Sequence, residues 1–346
     1  MKISIIAFSR RGCELGQKIC TSLSGHECRL YSKTSADVTG IEKVDGSASK
    51  WTQESFKTSD AIVYIGAAGI AVRYIAPFVK CKTADPAVIS ADETGQFVIS
   101  LLSGHIGGAN DLAKEIAEKI GAVPVITTAT DIHGRFSVDS YAVKHNLHIG
   151  SMALAKDVSS LIINDGKVGL ASDIPIIGRV PPELSLYGNE GLGIFVSYRR
   201  SKGPFERTLK LTPRCHVLGI GCRSGTPAED IETLVNEVLG GLDISLESIK
   251  AVASVDLKRE EAGLLEYSKK IGTEPIFFSS EELSSLPDMG FTPSEFVRSV
   301  TGVDNVCERA AYAASEGGEI LVRKTSGNGV TLAVVRDASS LDFREE

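Results

Sequence analysis

Two glycine-punctuated stretches hold the densest set of reactive side chains in the chain. The first is Ser90-Ala91-Asp92-Glu93-Thr94-Gly95; the second is Leu102-Ser103-Gly104-His105-Ile106-Gly107-Gly108-Ala109-Asn110. A carboxylate or an imidazole can take a proton from water, and backbone N–H groups gathered at a helix start can hold a developing oxyanion. If both loops face one cavity, Asp92, Glu93 or His105 supplies the base. Gly104, Gly107 and Gly108 then let the backbone form the donor cluster, and the dipole of the following helix favours an anion. That is a hydrolytic arrangement. The same residues also fit an ordinary strand-to-helix connection in which His105 caps or packs and Asp92 braces a turn. A Ser103–His105–Asp131 triad is the less economical option, because Ser103 lacks a Gly-x-Ser-x-Gly elbow; direct attack of water is simpler.

Other loops at strand ends carry binding chemistry. Ser9-Arg10-Arg11-Gly12 offers two guanidinium groups suited to carboxylates, or to solvent. Gly66-Ala67-Ala68-Gly69, with Arg73 beyond it, lacks the third glycine and the strand-end acid of a dinucleotide fingerprint. Close packing of a helix on a strand explains it equally well. Lys80, Lys82 and Asp85 form a polar turn, where Lys82 either neutralises a ligand carboxylate or lies at the surface. Asp131 in Thr127-Thr128-Ala129-Thr130-Asp131 positions a water, holds His133, or caps a turn. Farther on, Gly219-Ile220-Gly221-Cys222-Arg223-Ser224-Gly225-Thr226 is again strand, loop and helix start. Cys222 there is either a reactive thiol or a buried one. Ser254, Asp256 and Lys258 end a strand, as do Arg323 and Lys324. Ligands of open parallel sheets sit outside the carboxyl ends of the strands, so the first-half loops are expected to line one crevice.

The elements that position these loops follow from hydrophobic periodicity. Lys2–Phe8, Cys28–Tyr31, Ala61–Ile65, Ala87–Ser90, Phe97–Leu102 and Val123–Thr127 read as extended. Glu14–Leu23 and Gly69–Pro77 read as helices. Ala109, Leu112, Ala113, Ile116, Ala117 and Ile120 recur on one helix face, stopped by Gly121. Strands separated by such helices predict a largely parallel sheet covered on both faces. Leu161–Ile163, Val168–Ala171 and Gly193–Tyr198 predict a small β-rich piece, followed by a basic linker rich in Gly and Pro. From His216 the α/β pattern resumes, with Ile231, Leu234, Val235, Val238 and Leu239 along one helix face. The expected fold is therefore two α/β/α domains with mainly parallel sheets and a β-rich middle segment. The expected boundaries are 1–134, 135–205, a linker at 206–215, and 216–337, with a frayed tail.

Bulk properties narrow the function classes. A chain of 346 residues exceeds one comfortable core. A net charge of −7 without basic blocks argues against nucleic acid. Seven scattered cysteines without a CxxC pair suggest neither a disulfide framework nor zinc, and no metal site is expected. No apolar run is long enough for a membrane span. The opening MKISIIAFSR reads as a buried strand rather than a signal peptide, so a cytoplasmic protein is expected.

At this point the residues resemble a known family. GAAGIAVRYIAPFVKCKTADPAVISADETGQFVISLLSGHIGGANDLAKEIAEKIGAVPVITTATD (Gly66–Asp131) is similar to the N-terminal domain of the CbiG family of cobalt-precorrin-5A hydrolases. VLGIGCRSGTPAEDIETLV, SVDLKREEAGLLEYSKKIG and FTPSEFVRSVTGVDNVCERAA resemble its C-terminal domain, which looks like the stand-alone CobE proteins. The resemblance implies anaerobic cobalamin (vitamin B12) biosynthesis. The family's reaction opens a δ-lactone on a cobalt tetrapyrrole and expels a meso carbon with its methyl group as acetaldehyde. It implies a substrate that carries its own cobalt, no protein-bound cofactor, and neighbouring corrinoid-pathway enzymes as partners. Carried onto this sequence, Asp92, Glu93, Ser103 and His105 are the catalytic candidates. Gly66, Gly69, Arg73, Lys82, Gly104, Gly107, Gly108, Asn110, Asp131, Cys222 and Arg223 are the substrate-binding candidates. Ser224 departs from the GxGCRRG often read in the family, which removes one expected cation. A non-catalytic corrinoid carrier is the alternative function.

Overall fold

The computed structural model describes residues 1–36, 38–81, 84–128 and 132–344, apart from the side chain of Phe296. Two compact units result, Met1–Ser140 and Tyr141–Glu346.

The apolar runs of the first unit form one seven-stranded sheet. Its strands are β1 (Lys2–Ala7), β2 (Glu27–Ser32), β3 (Glu42–Lys43), β4 (Ala61–Ile65), β5 (Ala87–Ala91), β6 (Phe97–Leu102) and β7 (Val123–Val125). Their spatial order is β3-β2-β1-β4-β5-β6-β7. Four helices cover it: α1 (Arg10–Ser22), α2 (Ala48–Thr58), α3 (Ala68–Ile75) and α4 (Ala109–Ile120). Side chains alternate across a strand. Ile3, Ile5 and Ala7 of β1, with Ala61, Val63 and Ile65 of β4, therefore pack in one cluster with residues of α1 and α4. Ile6, Ile62 and Tyr64 face the other way, onto Trp51 of α2 and Ala71 and Ile75 of α3. Burial on both faces is why these strands read as unbroken apolar runs.

Strands β1 to β5 run parallel, but β6 is antiparallel to β5, and β7 is parallel to β6. The last two strands thus point opposite to the rest.

The second unit contains two five-stranded sheets and a two-stranded one. The first consists of β8 (Leu147–Ile149), β9 (Val168–Ser172), β11 (Leu184–Leu186), β12 (Leu192–Val196) and β13 (Arg207–Pro213), in the order β11-β9-β12-β13-β8. Strand β10 (Ile176–Gly178) pairs with β19 (Leu341–Phe343). The other sheet holds β14 (His216–Cys222), β15 (Ile249–Val255), β16 (Pro275–Phe278), β17 (Glu319–Gly327) and β18 (Val330–Arg336), ordered β16-β15-β14-β18-β17. α6 (Ala228–Gly241) and α7 (Ala262–Lys270) cover one of its faces, and α9 (Cys307–Ala313), with Val297 of α8 (Glu295–Thr301), packs on the other; α5 (Met152–Ile163) packs on β13 and β9 of the first sheet.

Three expectations are corrected here. Residues expected to act as a linker form β13, whose Leu209 and Leu211 are buried between β12 and β8. The period-2 pattern Thr-Leu-Lys-Leu-Thr is that of a strand, despite its basic flank. Leu161–Ile163, expected to be extended, ends the α5 helix. The tail, expected to fray, is held by Leu341 and Phe343, both buried.

Candidate functional site

Strands β1 and β4 are neighbours at the point where the strand order reverses, and their following helices leave toward opposite faces. This is the topological switch point, where a crevice opens at the carboxyl ends. The loops after β1, β4 and β5 meet at this edge because these strands are parallel. Ser9 caps α1 by accepting from the Gly12 N–H at 3.0 Å, and its hydroxyl donates to Glu93 Oε2 at 2.5 Å. Glu93 is exposed. Gly66 adopts φ +155°, a conformation that side-chained residues rarely take, and its N–H donates to Ala91 O at 2.8 Å. Helix α3 begins at Ala68 without a side-chain cap from its N-cap residue Ala67, and among the described residues no side chain accepts from its first N–H groups. Phe8 stacks on Tyr74 with ring centroids 6.0 Å apart, making an aromatic wall beside Gly66. Arg10 lies 4.0 Å from Glu14, whereas Arg11 and Arg73 form no ion pair among the described residues. Arg73 falls in the last turn of α3.

Asp92 sits beside Glu93 but is a turn acid. It accepts from the Thr94 N–H at 2.9 Å, from the Thr94 hydroxyl, and from the Phe97 N–H at 2.6 Å. Partial burial pushes its carboxyl up. The Thr94 hydroxyl and the N–H groups of Phe97, Thr94 and Gln96 pull harder, so it lies below the usual carboxylate range. A depressed, fully engaged carboxylate is a poor base. Its hydrogen bonds brace the turn between Asp92 and Phe97.

Because β6 is antiparallel to β5, Ser103 returns to the start of β5, where its hydroxyl donates to Asp85 O at 3.0 Å. Asp92 follows the end of β5. The two loops lie at opposite edges of the sheet, about 20 Å apart at the usual rise per strand residue. His105 thus cannot share a substrate carbonyl with Glu93. The connection from Ala91 to Phe97 was itself a signal, since a parallel return needs a crossover of a dozen or more residues.

The Ser103–Asn110 loop is also closed on itself. Gly108 N–H donates to His105 O at 2.9 Å, Ala109 N–H to Ser103 O at 3.1 Å, and Asn110 N–H to Gly104 O at 3.0 Å. Of the N–H groups in Gly104–Gly108, that of Gly108 is engaged by these bonds. A Cβ on Gly104 would stand 2.7 Å from Asn110 Oδ1, and one on Gly107 2.4 Å from Ser103 Cβ, so both glycines serve loop closure. Around the loop, His105 Nδ1 lies 3.5 Å from Ser137 Oγ, and buried Asn110 donates to Thr128 Oγ1 at 3.0 Å. Ser103 has φ 57°, unusual for a residue with a side chain. Lys82 and Asp131 lie outside the described residues.

In the second unit a cavity of about 680 Å³ opens at the carboxyl ends of β14 and β15, within the range of small-molecule sites. Apolar Val255, Val297 and Val306 line it together with Arg223, Lys258 and Lys324. Lys258 pairs with Glu261 at 3.0 Å, while Arg223 and Lys324 form no ion pair among the described residues. Ser224 lines the same cavity, where Lys324 of β17 and Lys258, in the turn after β15, stand with Arg223 as its cations. Burial pushes the Cys222 thiol up, Lys258 pulls it down and Glu261 pushes it up again, for a net rise. Cys222 is thus a lining thiol rather than a reactive thiolate. Arg323 and Lys324 lie within β17 rather than at its end, and Arg323 points charge at buried Glu308, 3.4 Å away. Among the described residues no group of three His, Cys, Asp or Glu is placed to hold a metal ion, and no helix is long and apolar enough to cross a membrane.

Family comparisons match the chain in three consecutive parts. Residues 50–131 match the cobalamin synthesis G N-terminal model, 136–213 the cobalamin biosynthesis central region, and 216–335 the cobalamin synthesis G C-terminus. A cobalt-precorrin-5A hydrolase of Priestia megaterium is 31% identical over 353 residues, spanning 96% of this chain and 94% of that protein. One from Salmonella typhimurium strain LT2 is 36% identical over 313 residues, spanning 85% and 87%. Protein CobE of a Sinorhizobium species is 29% identical over 124 residues, covering 36% of this chain and 80% of its own length. With all three family regions present in order and relatives above 30% identity along nearly the whole length, the chain belongs to the CbiG family of cobalt-precorrin-5A hydrolases.

Proposed function

We propose that this protein opens the δ-lactone of cobalt-precorrin-5A with water and releases acetaldehyde to give cobalt-precorrin-5B, with Glu93 at the switch-point crevice as general base. The observation that carries the site is the Ser9–Glu93 hydrogen bond at 2.5 Å, which fixes an exposed carboxylate between two helix starts. Glu93 takes a proton from water as its oxygen adds to the lactone carbonyl. The first N–H groups of α3, at Ala68 and Gly69, stabilise the oxyanion, taking the part expected of Gly104–Gly108. Collapse of the adduct breaks the acyl C–O bond and frees a hydroxyl on the meso carbon. That carbon then leaves as the aldehyde, and the bonding electrons pass into the conjugated ring and the cobalt that the substrate brings. Arg10 and Arg11 serve the substrate's acetate arms, and the aromatic wall of Phe8 and Tyr74 serves its flat face. In the second unit, Arg223 and Lys324 beside an apolar cavity suit the same class of amphipathic polyanion.

A second reading is favoured by the strained Ser103 and the His105–Ser137 contact, which place an acid–base pair at the other edge. Opposite edges make the two readings exclusive. Acetaldehyde release by Glu93→Gln and His105→Ala decides between them: the first variant is expected to fall on the order of 10²-fold or more and the second to stay near wild type. The reverse pattern moves the chemistry to His105. A wild-type protein that binds the ring but releases no acetaldehyde is a carrier.

A further inference from the structure

We infer that Ser9 is a positioning residue that holds Glu93 ready for proton abstraction, an inference that rests on Glu93 being the base. A serine hydroxyl has one hydrogen, and here its direction is fixed. Ser9 Oγ accepts from the Gly12 N–H at 3.0 Å, and the hydrogen goes to Glu93 Oε2 at 2.5 Å. Ser9 itself is anchored on both sides. Its carbonyl accepts the Cys13 N–H at 3.0 Å inside α1, and the preceding Phe8 ring is stacked on Tyr74. Among the described residues this is the one hydrogen bond of the Glu93 carboxylate. Without it, a glutamate on an exposed turn would sample many rotamers and present its basic oxygen to the crevice only part of the time. The bond engages Oε2 and leaves Oε1 for water.

The test is the separation of kcat from KM for acetaldehyde release from cobalt-precorrin-5A, measured on the full chain. Ser9→Gly removes the hydroxyl while glycine remains an acceptable cap, so the helix is retained. The expected result is a kcat lowered roughly tenfold with KM within about twofold of wild type. Ser9→Thr, which keeps the hydroxyl, should restore kcat. A residue that only caps α1 would change thermal stability and leave kcat in place, and that outcome overturns the inference. Glu93→Gln is measured alongside. If it is crippled while Ser9→Gly keeps the wild-type kcat, only the role of Ser9 is lost. If Glu93→Gln turns over normally, the assignment of the base and that of Ser9 fall together.

Discussion

Acid should loosen the second unit through one histidine. His216 opens β14 and is fully buried. Ser248 Oγ donates to Ser245 O at 2.6 Å, so its contact with His216 Nδ1 at 3.0 Å is one in which Nδ1–H donates. The neutral ring therefore leaves Nε2 bare, and among the described residues Nε2 has no partner. Protonation would place an N–H without an acceptor inside the core. Burial, with Arg336 adding to it and Ser248 and Asp337 opposing, brings the imidazole from an ordinary 6.5 down to about 4. Below pH 6.5 the unfolded chain takes up a proton that the folded chain refuses, so stability falls as pH drops and levels off below pH 4. The loss from this group is about 2 kcal/mol at pH 5 and about 3 kcal/mol below pH 4. At an m-value near 2 kcal/mol/M, the pH 5 loss corresponds to about 1 M in the urea midpoint. Urea melts followed by circular dichroism report both units, and fluorescence of Trp51, the single tryptophan, reports the first unit alone. His216→Phe should flatten the pH dependence of the second-unit transition by this amount and leave the Trp51 transition unchanged. Equal pH slopes in wild type and variant would refute the argument.

Three other outcomes follow from the geometry. Asp92→Asn should cost about 1 kcal/mol of stability through its weakened turn, yet keep acetaldehyde release within a few fold of wild type; a loss matching that of Glu93→Gln would return Asp92 to the chemistry. Gly107→Ala drives a Cβ to within 2.4 Å of Ser103 Cβ and should lower the stability of the first unit by about 1–3 kcal/mol, read from the Trp51 urea transition. Arg223→Ala and Lys324→Ala should each weaken tetrapyrrole binding by about tenfold at low salt, and less at high salt, in equilibrium titrations by absorbance; wild-type affinity of both variants at low salt would exclude the cavity as a carboxylate site.

Much of the fold was legible because burial leaves a periodic trace. The buried face of α4, from Ala109 through Leu112, Ala113, Ile116 and Ala117, appears in the sequence at helical spacing. The apolar runs of β1 and β4 announce strands covered on both faces. Composition misled at β13, where basic flanking residues hid a strand whose alternate leucines are buried. The tail misled for another reason: Leu341 and Phe343 are buried by partners more than a hundred residues earlier in the chain, β10 for the strand and Tyr141 for the Phe343 ring.

The candidate site divides in the same way. The residue types, their loops and the family resemblance were all present in the sequence, and so was the carboxyl-edge convergence of the loops after β1, β4 and β5. Which edge each loop faces was signalled only by the short connection from Ala91 to Phe97, and the pairing in the tertiary structure decided it. A strand's alternation of side chains reads the same in either direction, so its own residues do not state whether it runs with or against its neighbour. The hydrogen bonds between β5 and β6 made that choice, and by reversing β6 they carried His105 away from Glu93. Likewise, no local pattern could reveal that Ser9 meets a carboxylate 84 positions along the chain; only the parallel stacking of β1, β4 and β5 brings the two together.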